Sequence, residues 1–333
     1  MRMHISGIHG QSSGSVAQIA QEMTVKIAQR LGFQEMGFYC CNLEKESREC
    51  LRARMDGIIA GLTVGDILVF QHPTWMGIHF EKTFLEHIRA YRLKLAIFIQ
   101  DVPPMMFESN KNMLPEYIEL YNEAQVLIVP SEAMKCFLLE HGVRKDMRFV
   151  IQEIWDQITT VQTESVEFRK LMHFAGKPDK FVFPDTWDYP VPLRVYARDN
   201  AKGSNAENAG WKTQSQLLLE LSAGGFGLVW YGDEYWHEYM RYNNTYKLST
   251  YLSAGIPVIV PRGISNQKLI EENGLGFAVD TLEEAVQKVE DMQETEYLAY
   301  AKRVEKFSWL MKQGFFTEKI LLSTVHALLR DDW

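Results

Sequence analysis

No apolar run in this 333-residue chain approaches the roughly 18 residues needed to cross a bilayer, and the opening MRMHISGIHG lacks the apolar core of a secretory leader. A cytoplasmic protein without a membrane span is expected. Positive charge is short as well. Lys and Arg number 35 against 43 Asp and Glu, a formal net charge of −8, and no Lys/Arg block stands out to neutralise a phosphate backbone. Nucleic acid is therefore excluded as a partner. The four cysteines, Cys40, Cys41, Cys50 and Cys136, have neither a disulfide pattern nor metal-ligand spacing, so reduced and mostly buried thiols are expected. Asp-x-Asp and HExxH are both missing, and the nine histidines show no ligand spacing. No metal is expected, and His72, His79, His173 and His237 read as solvent-facing or supporting residues. Internal repeats, low-complexity segments and a heptad seam are absent too, so the pattern fixes no oligomeric state.

What is present is a regular alternation. Hydrophobic residues make up 46% of the chain and charged residues 23%, which suits two domains of ordinary size, each with a full core. Strands are predicted at residues 3–8, 36–40, 66–71, 94–100, 125–129 and 148–151, with helices between them. In the first helix, residues 15–31, Val16, Ile19, Ala20, Met23 and Ile27 recur at helical spacing before Gly32 closes it. The polar stretch 155–170 lacks strand signals and is read as the interdomain connection. A second series follows through LMHFAG, LRVYAR, a helix at 214–222, FGLVWYG, a helix from Tyr246, GIPVIVP, a helix to Asn273, GFAVD, LEEAVQKVEDM and a last helix at 317–330. The fold class is α/β, with two Rossmann-like domains whose ligands bind at the carboxyl ends of the strands.

Residues 243–280 carry the most chemistry. Asn243, Asn244 and Thr245 are N-cap residue types, and Tyr246 to Ser253 holds good helix formers ending at Gly255. Lys247 sits in the first turn, where the helix dipole disfavours a cation unless an anion shares the spot. The pattern suggests phosphate, with a solvated surface lysine as the plain alternative. The loop His9-Gly10-Gln11-Ser12-Ser13-Gly14-Ser15 has small residues that let backbone N–H groups approach a ligand. It is neither a P-loop nor a G-x-G-x-x-G turn, and a plain connector is equally consistent with it.

The helix at Tyr246, the AGIPVIV strand and NQKLIEENGLGFAVD are similar to the nucleotide-binding half of GT-B glycosyltransferases. Adding MRMHISGIHGQSSGSVAQ, DGIIAGLTVGDILVFQHPTW, QDVPPMMF, GGFGLVW and QGFFTEKILL, essentially the whole chain resembles the second glycosyltransferases of serine-rich-repeat adhesin glycosylation in streptococci and lactobacilli. The resemblance implies a GT-B fold, with an acceptor-side domain at 1–155, a nucleotide-sugar domain at 156–312, and a helix in 313–333 returning to the first. It implies a UDP-sugar donor as substrate, no cofactor, a GlcNAc-bearing serine-rich-repeat glycoprotein as acceptor, and a homodimer or homotetramer. The donor would be UDP-glucose or, alternatively, UDP-GlcNAc.

Carried over residue by residue, the donor-binding set is Ser15, Val16, Lys180, Trp211, Asn244, Tyr246 and Lys247. Lys180 stands where relatives carry a basic donor-binding residue, and Trp211 where an aromatic ring meets uracil. A solvated lysine and a packing tryptophan are the alternatives. Many GT-B enzymes carry a glutamate where Lys247 stands, which places this chain outside that large retaining group and puts a glutamate contact to the donor ribose in doubt. Lysines and the helix dipole would then stabilise departing UDP.

An inverting transfer needs a base for the acceptor hydroxyl, and Asp101 is the candidate, emerging after the buried strand LKLAIFIQ and stiffened by Val102-Pro103-Pro104. It could instead cap the loop or the following helix. Met106, Phe107, Glu108, Ser109, Asn110 and Lys111 read as a flexible lid that, by resemblance, contacts the acceptor. Gln71, Thr74 and Trp75 are further acceptor-side candidates. Two other classes remain: a non-catalytic chaperone subunit, and an NAD-type nucleotide-sugar enzyme using Glu44 or Glu46 as its ribose acid, whose glycine pattern is missing.

Overall fold

The computed structural model describes residues 1–12, 14–41, 46–161 and 166–330. Ser13 and Glu44, singled out above, lie outside them, as does 162–165 of the expected connection. The chain divides into two units, one of Met1–Gln152 with the segment from Phe316 onward, the other Glu153–Phe315. The sequence reading draws its divisions after residues 155 and 312.

The first unit runs β1 (Met3–His9), α1 (Val16–Arg30), β2 (Gln34–Tyr39), α2 (Arg48–Ile59), β3 (Ile67–His72), α3 (Ile78–Ile88), β4 (Lys94–Ile99), α4 (Pro103–Met106), α5 (Leu114–Asn122), β5 (Val126–Val129), α6 (Glu132–Glu140) and β6 (Arg148–Ile151). Its six strands are parallel in the order β2-β1-β3-β4-β5-β6. Buried on both faces, β3 and β5 read as continuous apolar runs rather than alternating ones. Phe38, Phe70, Phe80 and Phe84 interlock mostly edge to face beneath α3. The order reverses between β1 and β3, so the loops leaving those strands flank the topological switch point.

In the second unit, β7 (Glu167–Phe174), β8 (Leu193–Val195), β9 (Ala206–Asn208), α7 (Gln214–Leu221), β10 (Gly224–Leu228), α8 (Glu234–Met240), α9 (Tyr246–Ala254), β11 (Val258–Pro261), α10 (Gln267–Asn273), β12 (Gly276–Val279), α11 (Leu282–Asp291) and α12 (Glu294–Gln313) follow. These strands are also parallel, in the order β12-β11-β10-β7-β8-β9, with the switch point between β7 and β10. Gly227 lets α9 lie close on β10, because a Cβ there would stand 2.3 Å from the Tyr251 ring. The last helix, α13 (Phe315–Leu329), belongs from Phe316 to the first unit, where Arg148 donates to the Ala327 carbonyl. The expected returning helix is thus present. No helix among the described residues is long and apolar enough to cross a membrane.

Several expectations need correction. The connection is not strandless to residue 170: β7 begins at Glu167, its exposed first half carrying polar residues that hide the strand pattern. Trp155, Asp156 and Gln157 are buried. The sequence reading misses β9, α8 and α12; the three residues of β9, Ala206-Glu207-Asn208, offer no apolar run to read. The thiols are unpaired but not mostly buried, since Cys50 and Cys136 are exposed and Cys40 and Cys41 half-buried. His72 and His173 are buried. The ring of His173 bridges the Tyr196 hydroxyl at 2.9 Å and the Gly224 carbonyl at 2.8 Å, and burial pushes its pKa down to about 4.

Candidate functional site

At the switch point of the second unit, residues 175–181 leave β7 and the Gly232 turn leaves β10. The two cross backbone to backbone: a Cβ on Gly232 would lie 2.2 Å from the Lys180 carbonyl oxygen. This crossing sets Lys180 over the aromatic residues that follow Gly232, with its Nζ 3.7 Å from the Trp236 ring centroid. From α9, the Nζ of Lys247 reaches to 4.7 Å from the Phe181 ring centroid. Two ammonium groups distant in sequence thus meet over an aromatic floor of Phe181 and Trp236. Lys247 is half-buried and makes no ion pair among the described residues. Burial, and after it the charge of Lys180, push its pKa down to about 8. A cation held under those conditions is suited to an anion.

The start of α9 adds donors. Thr245 is the N-cap, and its side chain makes no capping hydrogen bond to the first-turn N–H groups, although the Leu248 N–H donates to the Thr245 carbonyl at 3.3 Å. Asn243 and Asn244, expected as cap residues, lie before it. Asn244 is buried, its amide oxygen accepting from Ser265 Oγ at 3.0 Å and its carbonyl from Trp155 Nε1 at 3.0 Å. Its place is to hold the chain that enters α9. Tyr246, edge-on to Trp155, has its hydroxyl oxygen bound by Gln214 Nε2 at 3.2 Å. Gln214 opens α7 behind a Thr213–Gln216 capping box, and Trp211 stands just before it. Trp211 is 41% exposed, so it is not a core residue, and the Arg198 guanidinium lies 5.3 Å from its ring centroid. Hence Lys180, Asn244, Tyr246 and Lys247 share one region, to which the Gln214 hydrogen bond ties the Trp211 segment.

Ser15 and Val16 belong to the first unit. Ser15 caps α1 by accepting from the Gln18 N–H at 3.3 Å and donates to the Gln11 side chain, while Val16 is exposed. Asp101 follows β4 at the carboxyl edge of the same sheet, ahead of Pro103 and Pro104 in the first turn of α4. Met106 to Lys111 is not an open loop: α4 ends at Met106, and a 3₁₀ helix begins at Glu108. The two prolines start the first turn, and the Asn110 N–H donates to the Phe107 carbonyl at 2.9 Å, which curls the segment. Phe107 is exposed at its tip. Gln71 and Thr74 are fully buried, whereas Trp75 is half-buried with a left-handed φ of 62°.

Phe181, Trp236, Gln214 and Arg198 escape sequence reasoning. The aromatic run WYGDEYW could have flagged Trp236; Phe181, Gln214 and Arg198 carry no local signal of the kind. No group of three or more His, Cys, Asp or Glu side chains among the described residues is arranged to hold a metal ion.

Residues 2–154 match the N-terminal domain and residues 172–324 the C-terminal domain of the glucosyltransferase 3-like family. Glucosyltransferase 3 of Streptococcus gordonii is 41% identical over 99% of this chain and 100% of its own length. The Streptococcus parasanguinis protein of the same name is 39% identical, again over 99% and 100%. Among solved structures, Anabaena HepE in complex with UDP-glucose superposes with a TM-score of 0.68 at 11% identity, covering 97% of this chain and 99% of that one. A sucrose-phosphate synthase from Thermosynechococcus elongatus gives 0.67 at 10% identity, with both chains fully covered. These likenesses show the GT-B fold class, and the two streptococcal relatives show the lineage: the chain is a glycosyltransferase and belongs to the glucosyltransferase 3-like family.

Proposed function

We propose that the protein transfers glucose from UDP-glucose to GlcNAc already O-linked to Ser or Thr of a serine-rich-repeat adhesin. The observation that carries this reading is Lys247, desolvated, without a carboxylate partner among the described residues, and facing Lys180 at the start of α9, where the N-cap side chain makes no capping bond. A diphosphate meets each of those demands at once. In the second unit, Lys180, Lys247 and the α9 N–H groups hold the diphosphate and Trp211 stacks on uracil. Tyr246 and Asn244 shape the entry to α9. Ser15 and Val16 open α1 of the first unit, which carries the acceptor side.

As the acceptor oxygen bonds to the anomeric carbon, the bond from that carbon to the UDP oxygen breaks. Asp101 takes the hydroxyl proton, and Met106 to Lys111 contact the acceptor glycoprotein. The negative charge gathering on UDP is met by the two lysines and the helix end, so the step needs neither a divalent ion nor a cofactor. The names of the streptococcal relatives support glucose as the sugar. The same reading makes the protein cytoplasmic and a homodimer or homotetramer.

Calorimetry with UDP, UDP-glucose, UDP-GlcNAc and NAD in the presence of EDTA, followed by incubation with a GlcNAc-bearing serine-rich peptide, tests it. Binding of UDP-glucose and glucose transfer are expected. Preference for UDP-GlcNAc would change the donor, and binding of no uridine nucleotide would overturn the reading.

A further inference from the structure

Three glutamine amides meet in the first unit where β3 and β4 end. Gln21 of α1 and Gln71 of β3 are fully buried, and Gln100, which follows β4, is 5% exposed. Gln71 Nε2 donates to the Ser6 carbonyl at 2.5 Å and to the Gln21 carbonyl at 3.3 Å, and the Gln71 backbone N–H donates to Ser6 Oγ at 2.6 Å. Gln21 Nε2 in turn donates to the Pro73 carbonyl at 2.9 Å, which ties α1 to the chain leaving β3. Gln100 Nε2 donates to Gln71 Oε1, and its backbone N–H to the His72 carbonyl at 2.8 Å.

These partners fix which way each amide faces. Two carbonyl oxygens converge on one end of the Gln71 amide, and only an NH2 can answer them; turned over, the amide would set oxygen against oxygen. Gln71 Oε1 is therefore the end offered to Gln100. Because that oxygen can only accept, Gln100 must give it the NH2 and turn its own oxygen away. Gln100 Oε1 has no hydrogen-bond partner among the described residues, and it is not sealed from solvent as Gln21 Oε1 is. Nearly all of the side chain is thus buried, yet its free end is an acceptor at the carboxyl edge of the sheet, where ligands of such folds bind.

An amide oxygen left without a donor in so buried a place is costly unless a ligand supplies one. Being neutral and without a proton, it takes O–H or N–H donors and offers nothing to a phosphate or a carboxylate. That chemistry suits a sugar rather than the diphosphate. The adjoining exit of β3 carries Trp75, half-buried and held at a left-handed φ of 62°, a backbone state that clusters at ligand-binding positions. Gln71, expected on the acceptor side, has both ends of its amide engaged by protein and holds Gln100 instead.

We propose that Gln100 is a specificity-determining residue for the acceptor sugar: its Oε1, aimed outward by Gln71, accepts a hydrogen bond from a hydroxyl or the acetamido N–H of GlcNAc. The proposal rests on the transferase reading and on the first unit carrying the acceptor side.

The test compares wild type and Q100M on serine-rich peptides bearing GlcNAc or its analogues lacking the acetamido group or a single hydroxyl, with UDP-glucose as donor and its binding followed by calorimetry. On the GlcNAc peptide, Q100M should raise the acceptor KM about three- to tenfold, the factor of one neutral hydrogen bond, with kcat and UDP-glucose affinity within about twofold of wild type. The analogue lacking the matching group should be used equally well by both enzymes, and its identity tells whether the acetamido N–H or a hydroxyl is the donor. An unchanged acceptor KM in Q100M, or the same ratio between the two enzymes for every analogue that reacts, overturns the proposal and leaves the transferase reading intact. Weakened UDP-glucose affinity with an unchanged acceptor KM overturns it too, moving Gln100 to the donor. No transfer by wild type overturns both the proposal and the transferase reading. Should Q100M fail to fold, Q100N, which keeps an amide but withdraws it by one methylene, should raise the acceptor KM likewise; an unchanged KM overturns the proposal.

Discussion

Replacing Lys247 by alanine removes the one cation of the donor region that is both half-buried and unpaired among the described residues. A charged hydrogen bond to phosphate contributes about 1.5–3 kcal/mol. That corresponds to about a 10- to 150-fold rise in the Kd for UDP at 1.4 kcal/mol per decade. The perturbed ammonium makes the test sharper than a loss of affinity alone. In the free protein its pKa stands at about 8 against an ordinary 10.5, lowered by burial and by Lys180, and a bound diphosphate would draw it back up. At pH 8 half of the free molecules hold a neutral amine, so binding should take up about half a proton. Above pH 8 the affinity should fall with rising pH.

Calorimetry at pH 8 in two buffers of different ionisation enthalpy reads the uptake directly, and K247A should abolish it. Stability follows with the opposite preference. Because the unfolded chain binds more protons between about pH 8 and 10.5, this group makes the free protein more stable as pH rises through that window. K247M should therefore raise Tm at pH 7 while weakening UDP binding. Unchanged UDP affinity in K247A, or equal heats in the two buffers, would refute the reasoning.

Other perturbations reach the remaining parts of the site. G232A places a Cβ 2.2 Å from a backbone oxygen, which no side-chain rotation relieves. It should cost about 1–3 kcal/mol of stability and weaken UDP binding as Lys180 shifts, seen as a lower Tm and a higher Kd. W211A, at an exposed site, should leave Tm nearly unchanged yet cost about 1–3 kcal/mol of UDP affinity through lost stacking, while pyrophosphate binding stays as it was. D101N should bind UDP like the wild type and fail in transfer; retained turnover would remove Asp101 as the base.

Much of the fold is legible in local pattern. A strand such as ILVFQH, apolar until its end, must be covered on both faces, and a helix that opens on Ser15 and stops before Gly32 carries its own punctuation. Lys247 is visible for the same reason: a cation in a first turn contradicts the helix dipole, and the contradiction is local. Where local pattern is weak, it misleads. Polar residues on the exposed half of β7 hide that strand, and the Asn243-Asn244-Thr245 run shows cap chemistry without telling which residue caps.

The site itself is a matter of long-range register. That Lys180 faces Lys247 depends on β7 lying beside β10 and on Gly232 letting two backbones cross, neither of which a periodicity encodes. Gln100 reads in sequence as no more than the polar end of an apolar strand. Only the pairing of β3 with β4 and the packing of α1 set Gln71 between it and Gln21 and decide which end of its amide is free. The sequence by itself determines the βα alternation and the sites of chemical contradiction, because these arise between residues a few positions apart. The convergence of charges is decided by tertiary structure, because a pKa or an anion site depends on which groups meet across the sheet and on how much water is left between them.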